Sequence, residues 1–562
     1  MQIEHHQLSL INRFIKFSLI LICIPSFLFA CGDNSSSKKT SNTIDYDKKY
    51  APSNGGTLID ASTAEPSGLI AMTAGESAAS AIADKIFNSL IKYDKNLDLT
   101  GELAQSWDIS PDKKTITFHL KPNLQWADKQ ALTSDDVLFT WQKVTDPNTR
   151  TPYGSDFTLV TKAETPDANT FRVTYAAPYA PALATWAGLH ILPKHLLENQ
   201  DINTTAFKRN PIGSNYYKLD SWKDGQYLKL TRNPLASQGQ ARIDTLITRI
   251  IPDKATQFLE LSADNIDLMG LNPIQYSRVL PARPQLNKNV GLYKELGSGY
   301  TYMGFNLKHK PFDDIRVRQA INYAIDKQEL IDGVLLGLGE PVASPYKPGT
   351  RWSNPALKPY PYDPAKAKAL LKAAGFVDTN GDGILEKDGK PFSFEILTTN
   401  KERETSAVLI QRRLKDVGIQ VNVRMLEWAS FLGRFIEPRE FDAVILGWGL
   451  GLDPDQYSIW HSSQQGAKQF NFVGYNNPKV DQLLEQGRLE LDPDKRQKIY
   501  HEFAKTLLED SPIVYLSAGY GLTAVHKRVE GIDNPAPPAG IGHNTQEWYI
   551  PNQYARNEIT EH

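Results

Sequence analysis

Residues Gly447 to Asp455 read GWGLGLDPD, in which Gly447, Gly449 and Gly451 alternate with Trp448, Leu450 and Leu452 before the acids Asp453 and Asp455. Glycine removes a side chain where another backbone approaches closely, and tryptophan offers a large flat apolar face. With Trp428 upstream, this mixture suits holding an extended molecule by its main chain and apolar surface. The plain structural alternative is a bulge flanked by core tryptophans. Asp453 and Asp455 could pair with a cation on such a molecule, but Asp453-Pro454 also has the form of an N-cap followed by proline at N1, and that structural role is favoured.

A second group, Asp378, Asn380 and Asp382 followed by Gly383, has the early spacing of a calcium loop. Gly389 stands where an EF-hand needs glutamate, and ILEKDGKPF after the DG reads as a hairpin. A structural turn is therefore expected, with calcium the alternative. Catalytic patterns are missing: there is no GxSxG and no HExxH, and GILEKDGKP departs from the phosphate loop in spacing and in its Ser or Thr. Histidines 119, 190, 195, 309, 461, 501 and 526 form no i, i+4 ligand pair. A binding protein without cofactor is expected, and not an enzyme.

The Gly447 loop needs elements to hold it. Ala443 to Leu446 is too short for a helix and too apolar for a half-exposed strand, which suits the middle of a parallel sheet covered on both faces. Two strands precede it, PFSFEIL (391–397) and GIQVNVRML (418–426), each alternating apolar and polar residues. Between them ETSAVLIQRRLKDVG is helical and ends at Gly418, and WASFLGRFI supplies a second helix. The pattern is βαβαβ. Open parallel sheets bind ligands at the carboxyl ends of their strands, here Thr398 to Asn400, Glu427 with Trp428, and Gly447 to Gly451.

Upstream, a strand in GGTLID leads into the helix ESAASAIADKIFNSLI, whose Ala79, Ile82, Ala83, Ile86, Phe87 and Leu90 form one apolar stripe. Ile116, Phe118 and Leu120 alternate in a strand, and Ser134 is placed to cap a helix through Trp141. Asp363-Pro364, Asn477-Pro478 and Asp492-Pro493 pair an N-cap with proline at N1, and Gly375 and Gly487 stand where C′ glycines would end the first two helices.

The N-terminus carries Arg13 and Lys16, an apolar run from Phe17 to Ala30, and Cys31. The run is shorter than the ~20 residues a bilayer span needs and has the layout of a secretory signal. Of the two cysteines, Cys23 lies inside that run, so a processed chain keeps no thiol to pair or react. A Ser, Lys, Asn and Thr-rich segment from Asp33 to about Tyr50 reads as a solvated tether. The chain has 562 residues, is 41% hydrophobic and can bury two or three cores. Its net charge of −2 and lack of a basic block beyond Lys38-Lys39 exclude nucleic acid as an expected partner.

SLIKYDKNLDLTGELAQSWDISPDKKTITFHLKPNLQWADKQALTSDDVLFTW, from Ser89, resembles the signature region of the family 5 extracellular solute-binding proteins, the peptide- and nickel-binding subunits of bacterial ABC importers. The resemblance continues in ILPKHLLE at Ile191, NPIGSNYYKLDSWKDGQYLKLTRNP at Asn210, FNLKHKPFDDIRVRQAINYAIDKQELI at Phe305, YDPAKAKALLKAAGF at Tyr362, the Phe441 to Ser462 stretch, and YNNPKVDQLLEQGRLELDPDKRQKIYHEFAKTLLEDSPIVYL at Tyr475.

The resemblance implies an α/β fold: a two-lobed periplasmic-binding-protein clamp of type II, cluster C-like, with an extra small domain. It implies a lipoprotein signal peptide over 1–30 and a flexible tether over 31–53. Lobe 1 would be 54–87, 212–298 and 526–562, the small inserted domain 88–211, and lobe 2 299–525. Crossings near Gly297 to Tyr302 and Thr523 to His526 would form the hinge. Leu28-Phe29-Ala30-Cys31 resembles a lipobox, making Cys31 the lipid anchor, with palmitate among its acyl chains, on the periplasmic or cell-surface side of a bacterial membrane. Gly447, Trp448, Gly449 and Leu450 match the family's main-chain contact loop, Trp428 a pocket tryptophan, Tyr153 a tyrosine closing from the small domain, and Gly75, Glu76 and Ser77 a contact loop of the first lobe. Gly451 departs: the best-known oligopeptide and dipeptide binders carry there an aspartate that pairs with the peptide's free amine. The implied partners are a peptide, the ABC permease and its ATPase, with the binding protein a monomer. The alternatives are the same clamp with an oligosaccharide, haem or nickel complex, or a chaperone or adhesion lipoprotein.

Overall fold

The apolar residues Ala443 to Leu446 are buried in a strand that extends to Trp448, Ala443–Trp448. It runs parallel to Ser393–Thr398, which in turn runs parallel to Gln420–Met425. The helix Lys401–Lys415 makes one crossover, and the short helix Trp428–Phe431, continued by a wider turn at Leu432–Ile436, makes the other. The βαβαβ unit is present: the first strand starts two residues later than expected, the second is shorter at both ends, and the third runs two residues further, to Trp448. The expected all-parallel surroundings are corrected: the other neighbour of Ala443–Trp448 is the antiparallel strand Tyr300–Phe305. These are the architecture's terms in a computed structural model that describes residue 46 and residues 48–556. The expected signal peptide, Cys31 and most of the expected tether lie outside the described residues. Among the described residues no helix is long and apolar enough to cross a membrane.

One long strand, Ile513–His526, organises the rest. Its first part pairs antiparallel with Tyr300–Phe305, from Gly304 opposite Ile513 to Thr301 opposite Ser517. Its second part pairs with Val290–Leu296, from Leu296 opposite Tyr520 to Val290 opposite His526, and with Leu268–Gly270. A single mixed twelve-stranded sheet results, with one half on either side of the place where this strand changes partners. We refer to the halves as the first lobe (Thr57–Ser62, Thr245–Ile250 and their antiparallel neighbours) and the second lobe (Tyr300–Phe305 to Gln420–Met425). The change of partner falls between Ser517 and Tyr520, upstream of the Thr523 to His526 crossing expected. The return crossing is Gly297-Ser298-Gly299. A Cβ on Gly299 would lie 2.0 Å from the Trp448 carbonyl oxygen, so only glycine lets the two backbones pass.

A separate four-stranded antiparallel layer, Ala104–Ile109, Thr115–Leu120, Thr170–Tyr175 and Val160–Asp167, carries the helix Ser134–Thr145. Ile116, Phe118 and Leu120 face its core as expected. Thr133, and not Ser134, caps the helix, in a reciprocal box with Asp136. The helix Ser77–Ile86 buries Ala79, Ile82, Ala83 and Ile86 and stops there, with Phe87 already extended.

Asp363, Asn477 and Asp492 cap their helices as the Asp-Pro and Asn-Pro pairs predict. Gly375 takes φ +90° just past its helix, but Gly487 is not a C′ residue: the helix runs on as Pro478–Leu489. Its missing side chain is a packing requirement, since a Cβ there would stand 2.6 Å from the Tyr500 ring.

Candidate functional site

Trp448 ends the central strand with its ring parallel to Tyr302 at 6.4 Å and edge-on to Phe470 at 5.1 Å. Phe470 reaches outward from this surface. It meets Tyr153 of the small layer edge-on at 5.8 Å, and it lies 3.5 Å from where a Cβ on Gly75 of the first lobe would be. The two lobes and the small layer thus meet at one aromatic cluster, with three of the expected loops around it.

Beyond Trp448 the main chain turns free. Among the described residues, no hydrogen bond inside the protein uses the amide or carbonyl of Gly449, Leu450 or Gly451. A Cβ on Gly449 or Gly451 would meet nothing within 4 Å, so these glycines border open space. A run of unpaired backbone groups beside an aromatic wall is the arrangement that adds an extended chain as a further strand.

On the first lobe, Gly75 ends the short helix Ala71–Ala74 at φ +72°, and Ser77 opens the next helix. Glu76 is buried between them. One carboxylate oxygen accepts the Ser67 amide at 2.7 Å and the other is without a partner, and burial raises its pKa. Burial also pushes the Tyr153 hydroxyl up to about 12, so the ring presents a neutral phenol. Trp428 packs in the same hydrophobic cluster as Trp448 but stacks on Phe431 at 6.0 Å, with its indole N–H unpartnered.

The two acids after the loop have other work. Arg496 takes both oxygens of Asp453 at 2.7 Å, and Arg488 takes Asp455 at 2.7 Å. Asp453 is no N-cap: it accepts the Asp455 amide, Asp455 accepts that of Tyr457, and the helix starts at Tyr457. Neither carboxylate is available to a ligand's ammonium group.

Sequence reasoning missed Phe470, Tyr302 and Arg403. Arg403 lies in the first turn of the helix Lys401–Lys415, directly after the strand end Thr398 to Asn400 that the topology had singled out. Its Nη1 donates to Thr399 Oγ1 at 3.0 Å, and its Nη2 is 3.2 Å from a Cβ position on Gly447. Among the described residues it forms no ion pair, and burial lowers its pKa against the opposing pull of Glu402. No sequence pattern marks Phe470, which sits in an irregular loop.

At the calcium-like loop, oxygens of Asp378, Asp382 and Glu386 lie within 4.8 Å of one another. Asn380 bonds Asp382, donating to its carboxylate at 3.1 Å and accepting its amide at 2.8 Å. The third carboxylate is the buried Glu386, at the start of the hairpin Glu386–Lys387 with Lys390–Pro391 and not at Gly389. Asp378 accepts the amides of Gly381 and Gly383, which accounts for the loop as a turn.

Two sheet halves joined through a shared strand, with ligand-competent loops from both and from a small third layer, define a two-lobed binding-protein clamp. The chain belongs to the bacterial extracellular solute-binding proteins, family 5, whose sequence profile matches residues 98–470. It is 32% identical to the oligopeptide-binding protein AppA of Bacillus subtilis over 94% of this chain and 97% of that protein. It is 29% identical to heme-binding protein A of Haemophilus influenzae, over 92% and 96%. The solved structure of AppA from Bacillus subtilis in complex with a nonapeptide superimposes with a TM-score of 0.84 at 30% identity, covering 89% of this chain and all of that one.

Proposed function

We propose that this protein captures extended peptides between its lobes and delivers them to the permease and ATPase of an ABC importer. It would act as a monomer anchored through a lipid on Cys31, on the periplasmic or cell-surface side of a bacterial membrane. The moving parts would be 54–87 with 212–298 and 526–562, 88–211, and 299–525, with 520–525 following the first-lobe strands they pair with. It binds and does not catalyse.

The observation that carries this reading is the unpaired backbone from Gly449 to Gly451 beside Trp448 and Phe470. Main-chain pairing gives affinity without demanding one side-chain sequence, and the aromatic wall accepts varied apolar groups. The cargo of AppA supports a peptide. Gly451 carries no carboxylate, and Asp453 and Asp455 are consumed by arginines, so the peptide's amino terminus is not held by an acid of this loop. Arg403 supplies the opposite preference: a guanidinium beside the loop that forms no ion pair among the described residues and suits a carboxylate.

Calorimetry on matched peptides with free and acetylated amino termini tests this. The two should bind within about threefold of each other; a loss on acetylation of about tenfold or more would contradict it. The haem cargo named for the Haemophilus relative is the second reading, and Soret absorbance in the protein as purified would favour it.

A further inference from the structure

One arginine joins parts of the fold that a clamp must bring together. Arg488 lies in the second-lobe helix Pro478–Leu489 with 5% of its side chain exposed. Its Nη2 stands 2.7 Å from Asp455 Oδ2 and 2.8 Å from Asp156 Oδ1, its Nη1 donates to the Ser155 carbonyl at 2.8 Å, and its guanidinium lies 3.8 Å from the centroid of the Tyr457 ring. The backbone makes the same junction, the Ala180 amide donating to the Arg488 carbonyl at 2.8 Å. Ser155 and Asp156 share a short 3₁₀ turn, Gly154–Phe157, that directly follows Tyr153. Asp455 belongs to the segment that directly follows the Gly449 to Gly451 loop.

We infer that Arg488 is a closure latch: a positioning residue that ties the segment behind the ligand loop to the small layer, so that closure over the ligand is locked through Asp156. Arg488 and Asp455 both belong to the second lobe and stay paired whatever the clamp does. Asp156, Ser155 and Ala180 come from elsewhere and can join them only in the closed arrangement. In leaving water Asp156 must find a buried cation, and Arg488 is the one it finds. The other guanidinium nearby, Arg496, is already occupied bidentately by Asp453 and bonds the Gly487 carbonyl. The latch acts on how long the clamp stays shut. It does not touch the ligand, and it rests on the peptide reading only for its probe.

Asp156→Asn is the informative variant, because Asp455 still neutralises Arg488 in it and the second-lobe fold is undisturbed. Release of a fluorescein-labelled nonapeptide is followed by stopped flow for wild type, Asp156→Asn, Arg488→Met and the double variant. Asp156→Asn should speed release by about tenfold or more with association changed less than about threefold and the ligand-free melting temperature unchanged. The double variant should release no faster than the worse single. Unchanged release in Asp156→Asn, or effects that multiply in the double variant, would overturn the latch. If the wild type binds no peptide, the peptide reading fails separately, and the latch is read from hydrogen exchange at the Ala180 amide in the protein as purified. Faster exchange in Asp156→Asn supports it, and equal exchange overturns it.

Discussion

Gly451 stands in the loop without a carboxylate, and the open space around it lets one be introduced. Nothing lies within 4 Å of its Cβ position, so an aspartate fits without displacing a neighbour. Gly451→Asp should therefore fold normally and acquire a preference of about tenfold or more for free over acetylated amino termini. Calorimetry on the two peptides checks it, and an unchanged preference would mean the amino terminus lies elsewhere. Arg403 carries the complementary prediction. Arg403→Met should weaken peptides with a free carboxyl terminus by about tenfold while leaving their amides within about threefold, because only a carboxylate uses the guanidinium. Equal losses for both peptides would assign Arg403 to packing. At this scale the sequence was legible where a residue type has one physical use. Alternating glycines signal approachable backbone, and that is what Gly449 and Gly451 provide. It misled where two uses compete: Asp453-Pro454 has the form of a helix start, yet the carboxylate is held by Arg496, a partner no local pattern could reveal.

Elements were legible to the extent that their periodicity is local. The strands Ser393–Thr398, Gln420–Met425 and Ala443–Trp448 follow from alternation and apolar runs, and their parallel order from the helices between them. Their antiparallel neighbours Tyr300–Phe305 and Ile513–His526 come from distant sequence, so the mixed character of the sheet is a tertiary fact. Gly487 shows the same limit: read as a helix end, it is the place where two helices close to contact. Gly487→Ala would drive a methyl group against the Tyr500 ring and should cost roughly 1–3 kcal/mol, seen as a lower melting temperature; an unchanged melt would show that Tyr500 yields freely. Lys327 opens the helix Lys327–Gly333 fully buried, its amine donating to the Asn322 and Tyr360 carbonyls. Burial lowers its pKa from 10.5 to about 7, against the weaker opposing pull of Asp326. The unfolded chain holds that proton up to 10.5 and the fold releases it above about 7, so the stability it contributes is complete above 10.5 and lost as pH falls to about 7. Stability curves of Lys327→Met between pH 7 and 10 should rise less steeply than wild type; parallel curves would contradict this.

The whole molecule is a clamp because one strand belongs to both sheet halves and one glycine crossing returns between them. Gly299 has no room for a side chain against Trp448, so the crossing and the Gly447 loop are in direct backbone contact. The Gly447 loop is thus placed where a change in lobe angle and the arrival of a chain are felt together. On the proposed function, this loop's unpaired backbone holds an extended peptide. Native mass spectrometry of the protein purified gently from its own envelope, without refolding, shows directly what the loop holds. The expected result is a ladder of bound masses that fragment as peptides with no common amino-terminal residue. A single bound non-peptide mass would contradict it while leaving the clamp intact.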